Sequence, residues 1–389
     1  MKKYKILILE GHAVQVLPFL ESFHNMKNVE TTIFCESRLS YGWFSRFPEK
    51  KIISPTVKNN WNNFHVFLCN YIETYPQDII IPMINDSAEY LSYYKAELEK
   101  YNCIIKLPAY DIFMKAHDKE LLMNLCKRLN IPHPKTSNPA KCGFENAIKY
   151  VGQSFLIKPN IGFGARGIKK INEDDNLVEI FENTVKDYGQ SCLQEFIPQT
   201  GKQFKVQLYR DENGNILFSS CYEKCRYYPI DGGTSTCNRV ILKEELFQLY
   251  SKILDELNWI GIADFDCIED PRDGEIKLME INPRMPGTIK ATFIAGINVA
   301  KIIVEHSYNM KTCVCNYMEN RILRNFATEI IWFLSSPDRW KTKPNWFNFF
   351  GENIYYVDGS FKDFFPFIGG FLGGVVKMLS PEFRKSKKK

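Results

Sequence analysis

Along the first hundred residues, short apolar runs at 4–9 (YKILIL), 29–35, 78–82 (DIIIP) and 103–107 (CIIKL) are separated by stretches whose apolar residues recur three and four apart, as at 14–24. Continuous apolar runs mark strands buried on both faces, and a 3.6-residue period marks helices. Strand and helix therefore alternate, and a parallel, Rossmann-like sheet is expected. The first turn reads EGHA, not GxGxxG, so a dinucleotide on this sheet has no support. Asn85, Asp86 and Ser87 follow the third run, where open α/β sheets bind ligands. The same three residues equally suit the cap of a helix over 88–98.

From 109 the rhythm changes. A helix over 109–130 carries Lys115, Asp118 and Lys119 early and Leu121, Leu122, Leu125 and Leu129 as its stripe, and Ile131-Pro132-His133-Pro134 ends it. A helix at 144–150 precedes a strand at 155–158 (FLIK), a glycine-rich turn over 159–167, a strand at 168–171 and another at 191–197 (SCLQEFI). Strands at 205–209 and 216–222 form a hairpin around Asp211-Glu212-Asn213-Gly214. Residues 223–239 (EKCRYYPIDGGTSTCNR) read as a loop, too polar and glycine-rich for core. Their Arg226, Gly232, Gly233, Thr234, Ser235 and Arg239 suit an anionic substrate, and a flexible surface loop fits the same composition equally. Helices follow at 244–257, 291–295 and 299–306.

Between them, residues 262–287 (IADFDCIEDPRDGEIKLMEINPRMPG) alternate twice around a polar turn at 270–274, the pattern of a hairpin. Side chains two apart share a strand face, so Glu280 and Asn282 point one way and an antiparallel partner sets Asp266 beside them. Two carboxylates and an amide oxygen make a site for a hard cation, Mg²⁺ or Mn²⁺, that keeps positions for phosphate oxygens. Arg284, one step further, reaches a phosphate or carboxylate. These acids lie among Ile262, Phe265, Ile268, Leu278, Met279 and Ile281, where a merely solvated carboxylate is out of place. In the glycine-rich turn, Gly162, Gly164 and Gly167 let backbone N–H groups face an anion, with Lys158 and Arg166 adding charge. No GK[ST] follows, which disfavours a P-loop.

Composition narrows the class. With 389 residues, 45% hydrophobic, 24% charged and 14% aromatic, this is a globular chain with room for two or three domains. The +5 charge is concentrated at the end, in Arg384, Lys385, Lys387, Lys388 and Lys389, which argues against nucleic acid as a general partner. Twelve cysteines without a CxxC, behind an N-terminus that enters a strand directly, point to reduced thiols and a cytoplasmic location.

In this order, the Lys-bearing helix, FLIKP, the glycine-rich loop, QEFI and DFD…EINPR resemble the ATP-grasp superfamily over 109–306. The similarity is to its carbamoyl-phosphate-synthase-like and D-alanine–D-alanine-ligase-like carboxylate–amine ligases. The resemblance implies an α/β (α+β grasp) architecture: a Rossmann-like pre-grasp domain at 1–108, a small grasp subdomain at 109–196, a large one with the metal hairpin at 197–310, and an aromatic-rich extension at 311–389. It also implies ATP and Mg²⁺ (or Mn²⁺) as cofactors. Lys119 and Lys158 match the lysines that hold the nucleotide phosphates, and the loop 162–167 matches the flap over them. Gln194, Glu195 and Ile197 match the adenine hinge, with Glu195 and Ile197 acting through their backbone. Asp266, Glu280 and Asn282 match the magnesium ligands, and Arg284 the arginine facing the transferred phosphoryl group or acyl phosphate. Gln203 stands near the ribose where the family often has Glu.

The reaction so implied joins a small-molecule carboxylate to an amine through an acyl phosphate. A carboxylase, a phosphoryl transferase and a non-catalytic nucleotide-binding regulator share the same parts. The run at 364–376 (FFPFIGGFLGGVV) is too short to span a bilayer, and with the lysines after it suits either packing on the body of the protein or peripheral contact with an anionic membrane.

Overall fold

The computed structural model describes residues 3–379, apart from 59, 163–165, 173, 231–232, 313–315 and 361 and the side chains of 371 and 374–379. Strands β1 (Tyr4–Ile8), β2 (Val29–Cys35), β3 (Lys50–Ile53) and β4 (Ile79–Ile81) form a parallel sheet in the order β3-β2-β1-β4. Ile6, Ile8, Ile33 and Ile79 enter one core and Leu7, Phe34 and Ile80 another, which is why these runs are apolar without alternation. The β3 strand, KKII, escapes that pattern because it is a half-exposed edge strand, where lysines are tolerated. The expected strand at 103–107 contributes one bridge, Ile104 to Ile79. Asn85, Asp86 and Ser87 open the helix Asn85–Tyr93.

A small antiparallel sheet comes next: β5 (Thr136–Ser137), β6 (Phe155–Pro159), β7 (Lys169–Lys170) and β8 (Ser191–Glu195), in the order β5-β8-β6-β7. Helices Phe144–Val151 and Leu177–Tyr188 cover it, and Ala147, Val151, Ile157, Phe181 and Leu193 give it a core of its own.

The large sheet runs β13-β12-β9-β10-β11-β14-β15, built from β9 (Gln203–Arg210), β10 (Ile216–Tyr228), β11 (Thr234–Ile241), β12 (Gly261–Glu269), β13 (Ile276–Asn282), β14 (Ile322–Arg324) and β15 (Ile354–Tyr356). Its alternation sorts the faces. Phe204, Val206, Leu208, Phe265 and Ile281 pack under the helix Glu244–Glu256, and the residues between them turn to the opposite side. At Gly201, a Cβ would stand 1.8 Å from the Glu269 carbonyl oxygen, so only glycine lets the β8–β9 connection lie against the hairpin. Because β14 and β15 continue this sheet, the region after 310 is partly its margin.

Two expectations are corrected. The helix expected over 109–130 is two helices, Tyr110–His117 and Lys119–Arg128, because Asp118 turns out of the first and caps the second by accepting from Leu121 N (2.9 Å). Residues 223–239 are not a loop. Tyr228 and Thr234 are paired ends of β10 and β11, and the ladder between these strands has register shifts around Arg226. Their polarity has another cause: one face of β10 enters the cleft and a neighbouring side chain enters a buried ion cluster. Among the described residues, no helix is long and apolar enough to cross a membrane.

Candidate functional site

On the face of the large sheet away from its helix, register sets polar side chains in two rows. Asn282, Asp264 and Gln207 lie side by side across β13, β12 and β9, and Glu280, Asp266, Lys205 and Tyr222 form the next row, which reaches β10. The amide Nδ2 of Asn282 lies 3.0 Å from Asp266 Oδ2 and 3.4 Å from Glu280 Oε1, so the hairpin trio converges on one point. Lys205 Nζ bridges Asp264 (2.5 Å) and Asp266 (2.7 Å), and Lys224 Nζ holds the other Asp266 oxygen at 2.8 Å. Burial alone would raise the Asp266 carboxyl; these two ammonium groups instead hold it well below the ordinary carboxylate range. Gln207 donates to the wholly buried Asp264 (2.9 Å) and accepts from Thr292 (2.8 Å).

Arg284 caps the rows. Its Nε donates to Asn85 Oδ1 of the first domain (2.9 Å), its Nη2 lies 3.4 Å from Asn282 Oδ1, and Nη1 is 3.7 Å from Asp264. The helix start at Asn85 is thus a contact of the site arginine as well as a cap position.

The small sheet supplies the opposing cations. Lys158, at the end of β6, is buried and donates to Gln194 Oε1 (2.6 Å), and Gln194 Nε2 donates to Thr136 Oγ1 (3.0 Å). Burial pushes its ammonium down to about 8, with Glu280 opposing that and Lys119 adding to it. The mutual influence of Lys158 and Glu280 joins the small sheet to the hairpin. Lys119 owes its place to the helix break: its N donates to Asn160 O (2.9 Å), and its Nζ reaches the Gly162 carbonyl (3.0 Å). His117, one residue before the break, is buried and pushed down to about 4, first by burial and then by Lys119, so it is neutral at physiological pH.

A pH dependence follows from Lys158. Polyphosphate favours the ammonium form, and above pH 8 the nucleotide-free protein has largely lost that proton. Nucleotide binding there must take up a proton, and affinity should fall as pH rises, by up to about tenfold per unit. In isothermal titration calorimetry at pH 8.5, the heat of ATP binding should vary with the ionisation enthalpy of the buffer, and the variation should disappear in Lys158→Met. Equal heats in all buffers would contradict the buried, deprotonated lysine.

The remaining expected residues scatter. Glu195 spends its backbone N on Lys135 O (2.8 Å) and its carboxylate on Arg272 (2.6 Å), so its backbone amide is not open to an adenine edge. Gln194 points inward to Lys158. The Ile197 carbonyl accepts from Gln199 (2.9 Å), and Gln203 bonds Gln199 (3.3 Å). Gly162 and Gly167 both have positive φ, and Gly164 lies outside the described residues. Arg226 is corrected: it is buried, its Nε and Nη2 donate to Glu329 at 2.8 and 2.6 Å, and it is not open to a substrate. Gly233 and Ser235 flank the β10–β11 turn, and Arg239 stands opposite Glu223 within the ladder. Lys205, Lys224, Asp264 and His117 were not expected. The polar alternation Gln203, Lys205, Gln207 in β9 was the available signal for the first.

Among the described residues no three His, Cys, Asp or Glu side chains gather as a ready metal site. The carboxylates of Asp266 and Glu280 face one point, now occupied by Asn282 Nδ2, and would hold a hard cation there; the Asn282 oxygen, which accepts from Arg284, would join them once the amide is turned.

A parallel domain, a small antiparallel flap and a large sheet enclosing lysines and a carboxylate hairpin define the ATP-grasp fold, and this chain has it. Its sequence is similar, over about half its length, to a D-aspartate ligase and to a carbamoyl phosphate synthase large chain. A family described as "ATP-grasp in the biosynthetic pathway with Ter operon" matches residues 231–324. D-aspartate ligase from Enterococcus faecium (strain Aus0004) is 26% identical over 247 residues, 56% of this chain and 56% of that protein. The carbamoyl phosphate synthase large chain, C-terminal section, from Methanopyrus kandleri is 26% identical over 201 residues, 48% of this chain and 36% of that one. The chain thus spans about half or less of these relatives. The biotin carboxylase domain of Hydrogenobacter thermophilus 2-oxoglutarate carboxylase, solved with MgADP and bicarbonate, superposes with a TM-score of 0.67 at 16% identity, covering 83% of this chain and 74% of that one.

Proposed function

We propose that this chain is an ATP-dependent carboxylate–amine ligase, activating a carboxylate as an acyl phosphate and forming an amide with release of ADP and phosphate. The observation that carries the reading is the convergence of Asp266, Glu280 and Asn282 on one point, between Lys158 of the small sheet and Arg284. Bound ATP supplies the phosphoryl group, and Mg²⁺ (or Mn²⁺) supplies charge neutralisation for it. Asp266, Glu280 and Asn282 would hold the cation. Lys119, Lys158, Arg166 and the turn with Gly162, Gly164 and Gly167 bind the phosphates. The segment Gln194 to Ile197, with Gln203, borders the nucleoside; Gln194 serves there by fixing Lys158. Arg284, steadied by Asn85, faces the oxygens of the carboxylate being activated. Gly233 and Ser235 border the approach for the anionic substrate; Arg239, paired with Glu223 in the row of Phe204, lies on the opposite face of the sheet and has no part in it. The small sheet, with its separate core, is the element that closes and excludes water from the acyl phosphate.

The test is phosphate release from MgATP across a panel of small carboxylates paired with amines, with mass spectrometry of the products. Release that requires both an acid and an amine, with an amide as product, is expected. Release with bicarbonate alone would reassign the chain to carboxylation, release with an acceptor hydroxyl to phosphoryl transfer, and ATP binding without any release to a regulatory role.

A further inference from the structure

Away from the cleft, the C-terminal region turns an apolar side outward. The helix Phe326–Ser335 leaves Ile330, Ile331 and Leu334 to solvent, Leu334 with 69% of its surface free. Solvated helix faces are normally polar, so this one calls for a cover. The patch does not end there. Phe333 on the same helix contacts Trp340 (5.3 Å between centroids), and Trp340 stacks on Phe347 (5.7 Å). Trp340 and Phe350 are 70% and 83% exposed. On the other flank Phe326 meets Phe367 (6.3 Å), which carries the surface onto the helix Phe365–Leu379. That helix packs on the first domain through small residues, for a Cβ at Gly369 or Gly370 would run into Phe44 or Tyr41. Its Phe365, Ile368 and Leu372 remain exposed.

The charge around this surface selects its occupant. In sequence, residues 330–379 hold five Lys and Arg against four Asp and Glu, and Arg384, Lys385, Lys387, Lys388 and Lys389 follow them beyond the described residues. Lys341 and Lys343 are exposed within the aromatic stretch itself. Aromatic rings that sit at a headgroup boundary, interleaved with lysines and followed by more, match an anionic bilayer surface.

We propose that this face docks the protein peripherally on an anionic membrane, independently of the chemistry in the cleft. The test is co-sedimentation of the full chain with phosphatidylcholine vesicles, with and without phosphatidylglycerol. Binding that needs the anionic lipid and weakens with salt is expected. The double variant Trp340→Ser/Phe350→Ser, which removes only exposed rings, should bind roughly tenfold or more weakly, with an unchanged thermal unfolding curve. No sedimentation with phosphatidylglycerol vesicles would overturn the proposal. So would binding that the double variant leaves intact, which would assign it to the lysines alone. A dimer in light scattering that the double variant dissociates would give the face to a second copy instead.

Discussion

Replacing Glu280 with Gln should reduce MgATP-dependent phosphate release by about a hundredfold or more while leaving the fold as stable as before. Glu280 is half-exposed, and its side-chain hydrogen bond among the described residues is the long one from Asn282 at 3.4 Å. Little native structure depends on it, so the unfolding free energy should change by no more than about 0.5 kcal/mol. The loss is electrostatic: the variant removes one of two negative charges that would meet a divalent cation, and part of the field that keeps Lys158 protonated. Asp266 makes the contrast. Its carboxylate holds Lys205 and Lys224, so Asp266→Asn should cost activity and also roughly 1–3 kcal/mol of stability, as two buried ammonium groups lose a partner. Calorimetric titration of Mg²⁺ with nucleotide separates binding from turnover. Near-normal turnover in Glu280→Gln would remove the hairpin from the chemistry.

The difference between these two acids also shows where the sequence could be read and where it could not. The hairpin was legible because period-2 alternation is local: Asp266, Glu280 and Asn282 had to share a face once 262–287 was a hairpin, and the register agrees. What lies beside the hairpin depends on strand order, which no local pattern encodes. β9 is the neighbour of β12 although 58 residues separate their starts at Gln203 and Gly261, and so Lys205 stands next to Asp266. Lys224 was hidden for a second reason. Residues 223–239 are polar because they face a cleft and an ion cluster inside a sheet, and polarity with glycines is also what a loop looks like. The break at Asp118 was missed because the apolar stripe runs on through it and only the capping bond marks it. In the first domain, the strands legible as apolar runs were those buried on both faces; the edge strand KKII was not.

Glu329→Gln is expected to cost about 3–5 kcal/mol of folding stability, and the reason settles what Arg226 does. Glu329, Arg226 and Arg324 are all buried. The carboxylate accepts from Arg226 Nε (2.8 Å) and Nη2 (2.6 Å), from Arg324 Nε (3.0 Å) and Nη2 (2.8 Å), and from Thr236 Oγ1 (2.7 Å). The amide would leave two guanidinium groups facing one neutral oxygen in a site closed to solvent. The same guanidiniums hold the following segment: Arg226 donates to the Pro344 carbonyl (2.5 Å), and Arg324 to the carbonyls of Trp346 (2.8 Å) and Asn348. Loosening the cluster should therefore free residues 342–348, detectable as faster amide exchange there than in β12 and β13. If Arg226 instead served the substrate, Arg226→Lys would raise KM and leave denaturant unfolding unchanged. From the geometry the opposite is expected, because lysine cannot reproduce the two-pronged contact: a lower unfolding midpoint, with KM moved little. A Glu329→Gln protein that unfolds with the midpoint of the parent would show that the cluster is solvated and would return Arg226 to the candidates for substrate binding.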